Sequence, residues 1–295
     1  MFIRSPDTAQ IGKEILPFVV GYLPDYFQKK AEVELKDSPE RRVQGLRLLK
    51  EMMRNDKNFV GLEFDDEFLL QYLLCRKFNV ARAFSQIKAF VALRRKQKNA
   101  FTDFRFEKTV RTINDQIVTV LPWRCQDGCA IILVQLDNWN PETFPVEEVK
   151  RMVVILILQS LRDPMTQVNG FKVIFDVKSN PIRHLRYCTP QNIYLIYHGP
   201  EECSPGRFKE IHIVNQSLTF KAAWLLAKHF LSEKIKKRTH FHSTPETLFK
   251  FFPRAILPTQ YGGLLTDYDM TDWLKDVMSP QKLATLGGVV PHTTN

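Results

Sequence analysis

Between Gly206 and Arg238 two groups of cations flank a greasy segment, with Arg207 and Lys209 before it and Lys234, Lys236, Lys237 and Arg238 after it. Clustered guanidinium and ammonium groups do one kind of chemistry well: they hold an anion bearing several charges through charge-assisted hydrogen bonds. They also draw a protein to an acidic leaflet, each contributing on the order of 1 kcal/mol near the surface. The segment between them, Leu218 to Leu231, is apolar almost all the way round, with Trp224, Leu225 and Leu226 at its centre. A helix of that kind is buried in a core, covers a cavity holding an apolar ligand, or touches lipid. Residue types leave all three open, and the flanking cations favour lipid.

Other side chains offer less. His240 and His242 alternate on a short strand and could face one side, but no neighbouring cysteine or carboxylate completes the three or four ligands a metal needs. Cys125 and Cys129 lack the two-residue spacing of zinc or redox pairs. No G-x-S-x-G elbow, P-loop or G-x-G-x-x-G occurs. Asp176, at the end of a strand, reads as a cap or hydrogen-bond anchor. No enzyme, metal or cofactor is expected.

The elements that must position these groups change texture along the chain. The first 100 residues read as helices. Ser38-Pro39-Glu40 opens one that runs to about Asn55, Asp65 caps a second ending near Asn79, and a third covers Val80 to Lys98. From about Thr119 apolar runs of strand length appear, Ala130–Val134, Phe171–Asp176 and Ile211–Val214, followed by a short strand at Thr239–His242. Helical stretches at Val146–Gln167, from Thr189 to about His198 and from Thr244 separate them. Alternating strands and helices imply an α/β fold with a mostly parallel sheet. The expected organisation is a helical region over 1–100, a sheet domain over 101–278 and a flexible tail over 279–295.

Composition narrows the class. The 295 residues are 44% hydrophobic and 25% charged, ordinary globular material with room for a large core. The longest apolar run, Met152 to Leu158, is far short of the roughly 20 residues that span a bilayer. The N-terminus lacks an h-region followed by a small-residue cleavage site, and five scattered cysteines read as free thiols, so a cytoplasmic protein is expected. A net charge of +10 asks for an anionic partner. Nucleic acid is not expected, since no zinc-finger pattern, RNP-like strand or Arg-rich tail accompanies the charge.

Several stretches together resemble the CRAL-TRIO family of lipid-binding proteins. Phe68-Leu69-Leu70-Gln71-Tyr72-Leu73-Leu74-Cys75-Arg76-Lys77-Phe78 is similar to a helix end of the family's N-terminal region. Phe175-Asp176, Ile211 to Asn215, Phe230 to Ile235 and Leu257-Pro258-Thr259-Gln260-Tyr261-Gly262-Gly263 match its lipid-binding domain in order and spacing. The resemblance covers roughly residues 40 to 275 and points to the branch that transfers tocopherol or binds retinaldehyde. It implies a carrier without catalysis, in which sheet and helices enclose one tocopherol-, retinoid- or other isoprenoid-like ligand behind a gate helix, here Leu218 to Leu231. It also implies a cleft for a phosphatidylinositol bisphosphate headgroup, formed here by Arg76, Arg207, Lys209, Lys234 and Arg238, and transient association with membranes. Strand and helix facing assigns the pocket wall to Ile155, Phe171, Val173, Phe175, Tyr194, Ile211, Ile213, Phe220, Ala223 and Leu226.

The chain departs from the family pattern in three respects. Val153 and Ile157 stand where tocopherol carriers have serines, Gln260 replaces a glutamate, and Lys228-His229-Phe230-Leu231 lacks the proline that often ends the gate. A monomer is expected. Alternatives are a phosphatidylinositol or phospholipid exchanger or sensor, and a basic protein-interaction module with a vestigial pocket.

Overall fold

The computed structural model describes residues 15–102, 104, 116–178, 184, 186, 187, 189–193, 199 and 202–288. Helix α1 (Asp25–Leu35) buries Phe27, Ala31 and Leu35 at helical spacing. It precedes the three N-terminal helices anticipated above. In α2 (Pro39–Arg54) the Ser38 hydroxyl accepts from Arg41 N at 3.3 Å. In α3 (Asp66–Cys75) the Asp65 carboxylate accepts from Phe68 N at 2.6 Å, and in α4 (Val80–Lys96) the Asn79 side chain accepts from Arg82 N at 3.0 Å. Each cap satisfies an amide that has no partner within its own helix.

The sheet has the order β1 (Val118–Val120), β2 (Ala130–Gln135), β3 (Phe171–Asp176), β4 (Phe208–Val214), β5 (Thr239–Phe241). Strand β1 is antiparallel to β2 and the remaining pairs are parallel, with Val134, Phe175 and Ile213 at one level. Parallel strands joined by crossovers are covered on both faces, which is why they read as continuous apolar runs rather than alternating ones. On the back face Ile131, Leu133, Ile174 and Val214 pack against Leu248, Phe252, Ile256, Leu257 and Tyr261. The front face looks toward α5 (Val146–Ser160).

The single helix expected over Val146–Gln167 is two. Pro164 cannot continue a helical ladder, and Asp163 starts α6 (Pro164–Asn169) by accepting from Met165 N at 2.9 Å and Thr166 N at 3.3 Å. The stretch after Thr189 is helical over α7 (Pro190–Ile193), and residues 194–198 lie outside the described part. Residues 279–288, expected as part of a flexible tail, are instead packed. Helix α11 (Pro280–Ala284) follows α10 (Thr271–Val277), Leu286 is buried, and the Gly288 carbonyl accepts from Asp65 N at 3.0 Å. The Leu257–Gly263 motif closes the back of the sheet. Tyr261 donates its hydroxyl to Asp176 Oδ2 at 2.9 Å, and Gln260 donates its amide to Gln135 Oε1. Gly262 sits at φ +77°, and a Cβ on Gly263 would collide with the Leu257 carbonyl, so both glycines are required by the turn.

His240 and His242 do share the back face, where His212 joins them. The His212 ring stacks on His240, and its Nδ1 lies 3.0 Å from His242 Nε2. His212 Nε2 is 3.1 Å from Glu210 Oε2, and His242 Nδ1 is 2.7 Å from the Thr247 hydroxyl. No group of His, Cys, Asp and Glu among the described residues is arranged to hold a metal. Burial pushes His212 down to about 3, against the pull of Glu210, and lowers His242 as well. The folded state therefore holds both rings neutral while the unfolded chain takes up protons from about pH 6.5 downward. Stability contributed by these rings should be complete above pH 6.5 and lost as pH falls toward 3. Thermal unfolding followed across that range should give a falling midpoint, and a His212→Gln variant should show a shallower decline.

Candidate lipid cavity and basic cleft

The front of the sheet and α5 do not close on each other. Between them lies a cavity of about 610 Å³, within the range of sites that enclose a small molecule. From the strands come Ile132, Val134, Val173, Phe175, Ile211 and Ile213, alternate residues that share the front face. From α5 come Val146, Val149, Lys150, Val153, Val154 and Ile157. Val153 and Ile157 give this wall an apolar surface.

Of the wall residues assigned from strand and helix facing, Val173, Phe175, Ile211 and Ile213 line the cavity. Ile155 does not. At roughly 100° per residue it lies opposite Ile157 on α5, on the face that carries Gln159, whose amide donates to Val277 O at 2.8 Å. Phe171 is fully buried one layer behind the wall, stacked at 5.2 Å on Phe208, which takes its place. Phe220 is half-buried and is not among the lining residues. Tyr194 and the side chains of Ala223 and Leu226 lie outside the described part.

The apolar segment forms α8 (Leu218–Ala227) and passes into a 3-10 turn, Lys228–Phe230, so it ends there without a proline. It is not a core helix. Leu218 is 83% exposed and Leu225 55%, while Trp224 lines the cavity and meets Phe241 edge-on at 5.1 Å. One helix thus shows apolar side chains to both the cavity and the solvent.

All five basic positions come together on the cavity wall: Arg76, Arg207, Lys209, Lys234 and Arg238. They are drawn from α3's end, β4 and its approach, and α9 (Glu233–Arg238), which the Ser232 hydroxyl caps. Arg76 Nε donates to Gln86 Oε1 at 2.8 Å, and Gln86 is itself tied to Ser204 O at 2.6 Å. Arg238 Nη1 donates to Phe208 O at 2.5 Å. Arg207 is held by its backbone, its carbonyl accepting from Phe171 N at 2.8 Å. Gly170 makes that approach possible, because a Cβ there would collide with the Arg207 carbonyl.

The Arg207 side chain has no such support. Its Nε and Nη2 are buried and make no hydrogen bond. Burial pushes its guanidinium down from the ordinary value, and Arg238 pushes the same way while Glu34 opposes. Burial and then Arg207 lower Lys209. Buried polar groups are normally hydrogen-bonded, and an unpaired buried cation is among the costliest exceptions. The arrangement has the chemistry to take up a polyanion.

Facing arguments missed Lys150, Phe208 and Trp224 on the wall. Lys150 had a signal, since it sits three and seven residues before Val153 and Ile157 on one helical stripe. Arg207's lack of a partner had none, because hydrogen bonds across the fold are invisible in sequence.

Comparison with known proteins is consistent with this architecture. A model of the CRAL/TRIO domain matches residues 114–263. The alpha-tocopherol transfer protein-like protein of Mus musculus is 30% identical over 91% of this chain and 81% of its own length. Its Homo sapiens counterpart is 28% identical over the same shares, and Clavesin-1 of Rattus norvegicus 28% over 88% and 74%. Among solved structures, that of Sfh5 aligns over 88% of this chain and 98% of its own, with 13% identity and a TM-score of 0.48.

Replacing the unpartnered guanidinium by an apolar chain of similar length should relieve its desolvation. Arg207→Met is expected to stabilise the anion-free protein by about 1–3 kcal/mol. The same variant should lose most of the rise in thermal midpoint that inositol hexakisphosphate gives the parent. Differential scanning fluorimetry with and without that polyanion reads both.

Proposed function

This chain belongs to the CRAL/TRIO domain family, and we propose that it is a carrier of one hydrophobic molecule that exchanges its cargo with membranes bearing phosphatidylinositol bisphosphate. The cargo is of tocopherol, retinoid or other isoprenoid size and occupies the cavity between the sheet and α5. Docking runs through Arg76, Arg207, Lys209, Lys234 and Arg238. The observation that carries the reading is the Arg207 guanidinium on the wall of the apolar cavity, whose buried Nε and Nη2 have no hydrogen-bond partner. A headgroup with several phosphates supplies the acceptors that this guanidinium lacks, and its acyl chains keep it at the bilayer. The exposed apolar face of α8 supports the same orientation, since Leu218 and Leu225 gain by leaving water for the acyl boundary.

The proposed cycle has no covalent step. The cleft engages the headgroup, α8 settles into the interface, and the cargo passes between cavity and bilayer. No helix among the described residues is long and apolar enough to cross a membrane, so the contact is proposed as peripheral and transient, made from the cytoplasm.

Transfer of fluorescent retinol or tocopherol between vesicles, with and without phosphatidylinositol bisphosphate in the acceptor, tests the reading. The Arg207→Glu/Arg238→Glu variant should lose the stimulation by phosphoinositide while still binding the probe in detergent. Unchanged stimulation would remove the cleft assignment. Lipid extraction of the purified chain followed by mass spectrometry identifies the cargo, and a phospholipid found there would replace the isoprenoid.

A further inference from the structure

The cavity carries a cation at the end away from the basic cleft. Helix α5 follows Trp139 and runs back against the parallel strands, so its first turns lie level with the strand ends. Lys150 belongs to those turns and lines the cavity beside Val146, Val149 and Val153. Arg207 and Lys209 lie at the start of β4. Seven residues of β4 at ~3.3 Å each put about 20 Å between the two ends.

Lys150 is poorly placed for an ordinary surface lysine. Its side chain is 13% exposed, and its one ion pair among the described residues, at 2.8 Å, is with Glu147, three residues earlier and 43% exposed. An ammonium has three donors. One faces Glu147, and a wholly hydrocarbon cargo packed against the stem would strip water from the others.

We infer that Lys150 is the head-group anchor of the cavity and that the cargo is an acidic amphiphile, a long apolar body ending in a carboxylate. A carboxylate at the α5 end accepts from the donors that Glu147 leaves, and the apolar body lies along Val153, Ile157, Val173 and Ile211 toward the cleft. Hydrogen bonds to charged groups are worth about twice neutral ones, so an acid is favoured over the alcohol of the same body. A tocopherol-like phenol offers only a weak, uncharged acceptor.

This inference rests on the carrier reading, and the test separates the two. Retinoic acid and retinol share one apolar body and differ at the head, and both quench tryptophan fluorescence, with Trp139 and Trp224 on the cavity wall as reporters. The full chain is expected to bind retinoic acid about tenfold more tightly than retinol. Lys150→Met should bring that ratio close to one, Lys150→Arg should keep it, and Glu147→Gln should raise it by freeing the ammonium. Equal affinities in the parent chain, or a preference that survives Lys150→Met, would overturn the anchor while leaving the carrier standing. Binding of neither probe would overturn both.

Discussion

The front of the sheet and α5 face each other across a space that neither fills, and the rest of the molecule exists to hold those two surfaces apart. Apolar walls attract, and a void of about 610 Å³ forgoes the contacts that a collapsed core would make. The walls stay apart because each is fastened from behind. The sheet is clamped by Tyr261 on Asp176 and by Leu248, Phe252 and Leu257 packed on its back face. Helix α5 is clamped by the Gln159–Val277 hydrogen bond and by the core that Ile155 and Met152 enter. A cavity built this way is fixed by its supports rather than by its contents.

The same constraint sets where charge can stand. The chain carries a net charge of +10. Arg207 is different because its backbone is fixed by Phe171 and Gly170 and its side chain must then lie along the cavity wall. The fold accepts an uncompensated guanidinium there, which lowers stability without improving packing. Such a cost persists where a ligand removes it, because binding free energy at the site is larger when the free state is poorly satisfied.

Much of this was legible in the sequence. Caps at Ser38 and Asp65 and the apolar runs of β2 and β3 are local signals, and the helices and strands fall close to where those signals put them. Strand β1 was not legible, since three residues on an edge carry no period. The split at Pro164 was written in the sequence as Asp163-Pro164 and needed only the rule that proline ends a ladder. The order in 279–288 was not, because Leu286 and Gly288 are held by partners more than a hundred residues away in the chain. In the site, side-chain alternation puts Val173, Phe175, Ile211 and Ile213 on the cavity wall but does not show that Phe171 lies behind it. It failed at Ile155 because an apolar helix gives no contrast by which to set its phase.

The proposed gate and the basic cluster are joined by the chain itself. Helix α8 runs through the Lys228–Phe230 turn to the Ser232 cap, then into α9 with Lys234 and Arg238, and from there without a break into β5. Phe241 of β5 returns to touch Trp224 of α8, closing a loop of contacts around the cavity mouth. A polyanion bound between Arg207 and Arg238 therefore joins a rigid strand to the one segment that must move if α8 is to swing. It can shift α8 only by the difference between its affinities for the open and closed forms. The Arg238 guanidinium donates to the Phe208 carbonyl, so an anion that draws it outward must break that bond. In the carrier proposed above, breaking that bond would loosen α9 from β4 and so give an anion held by the basic side chains of the cavity wall a route to α8.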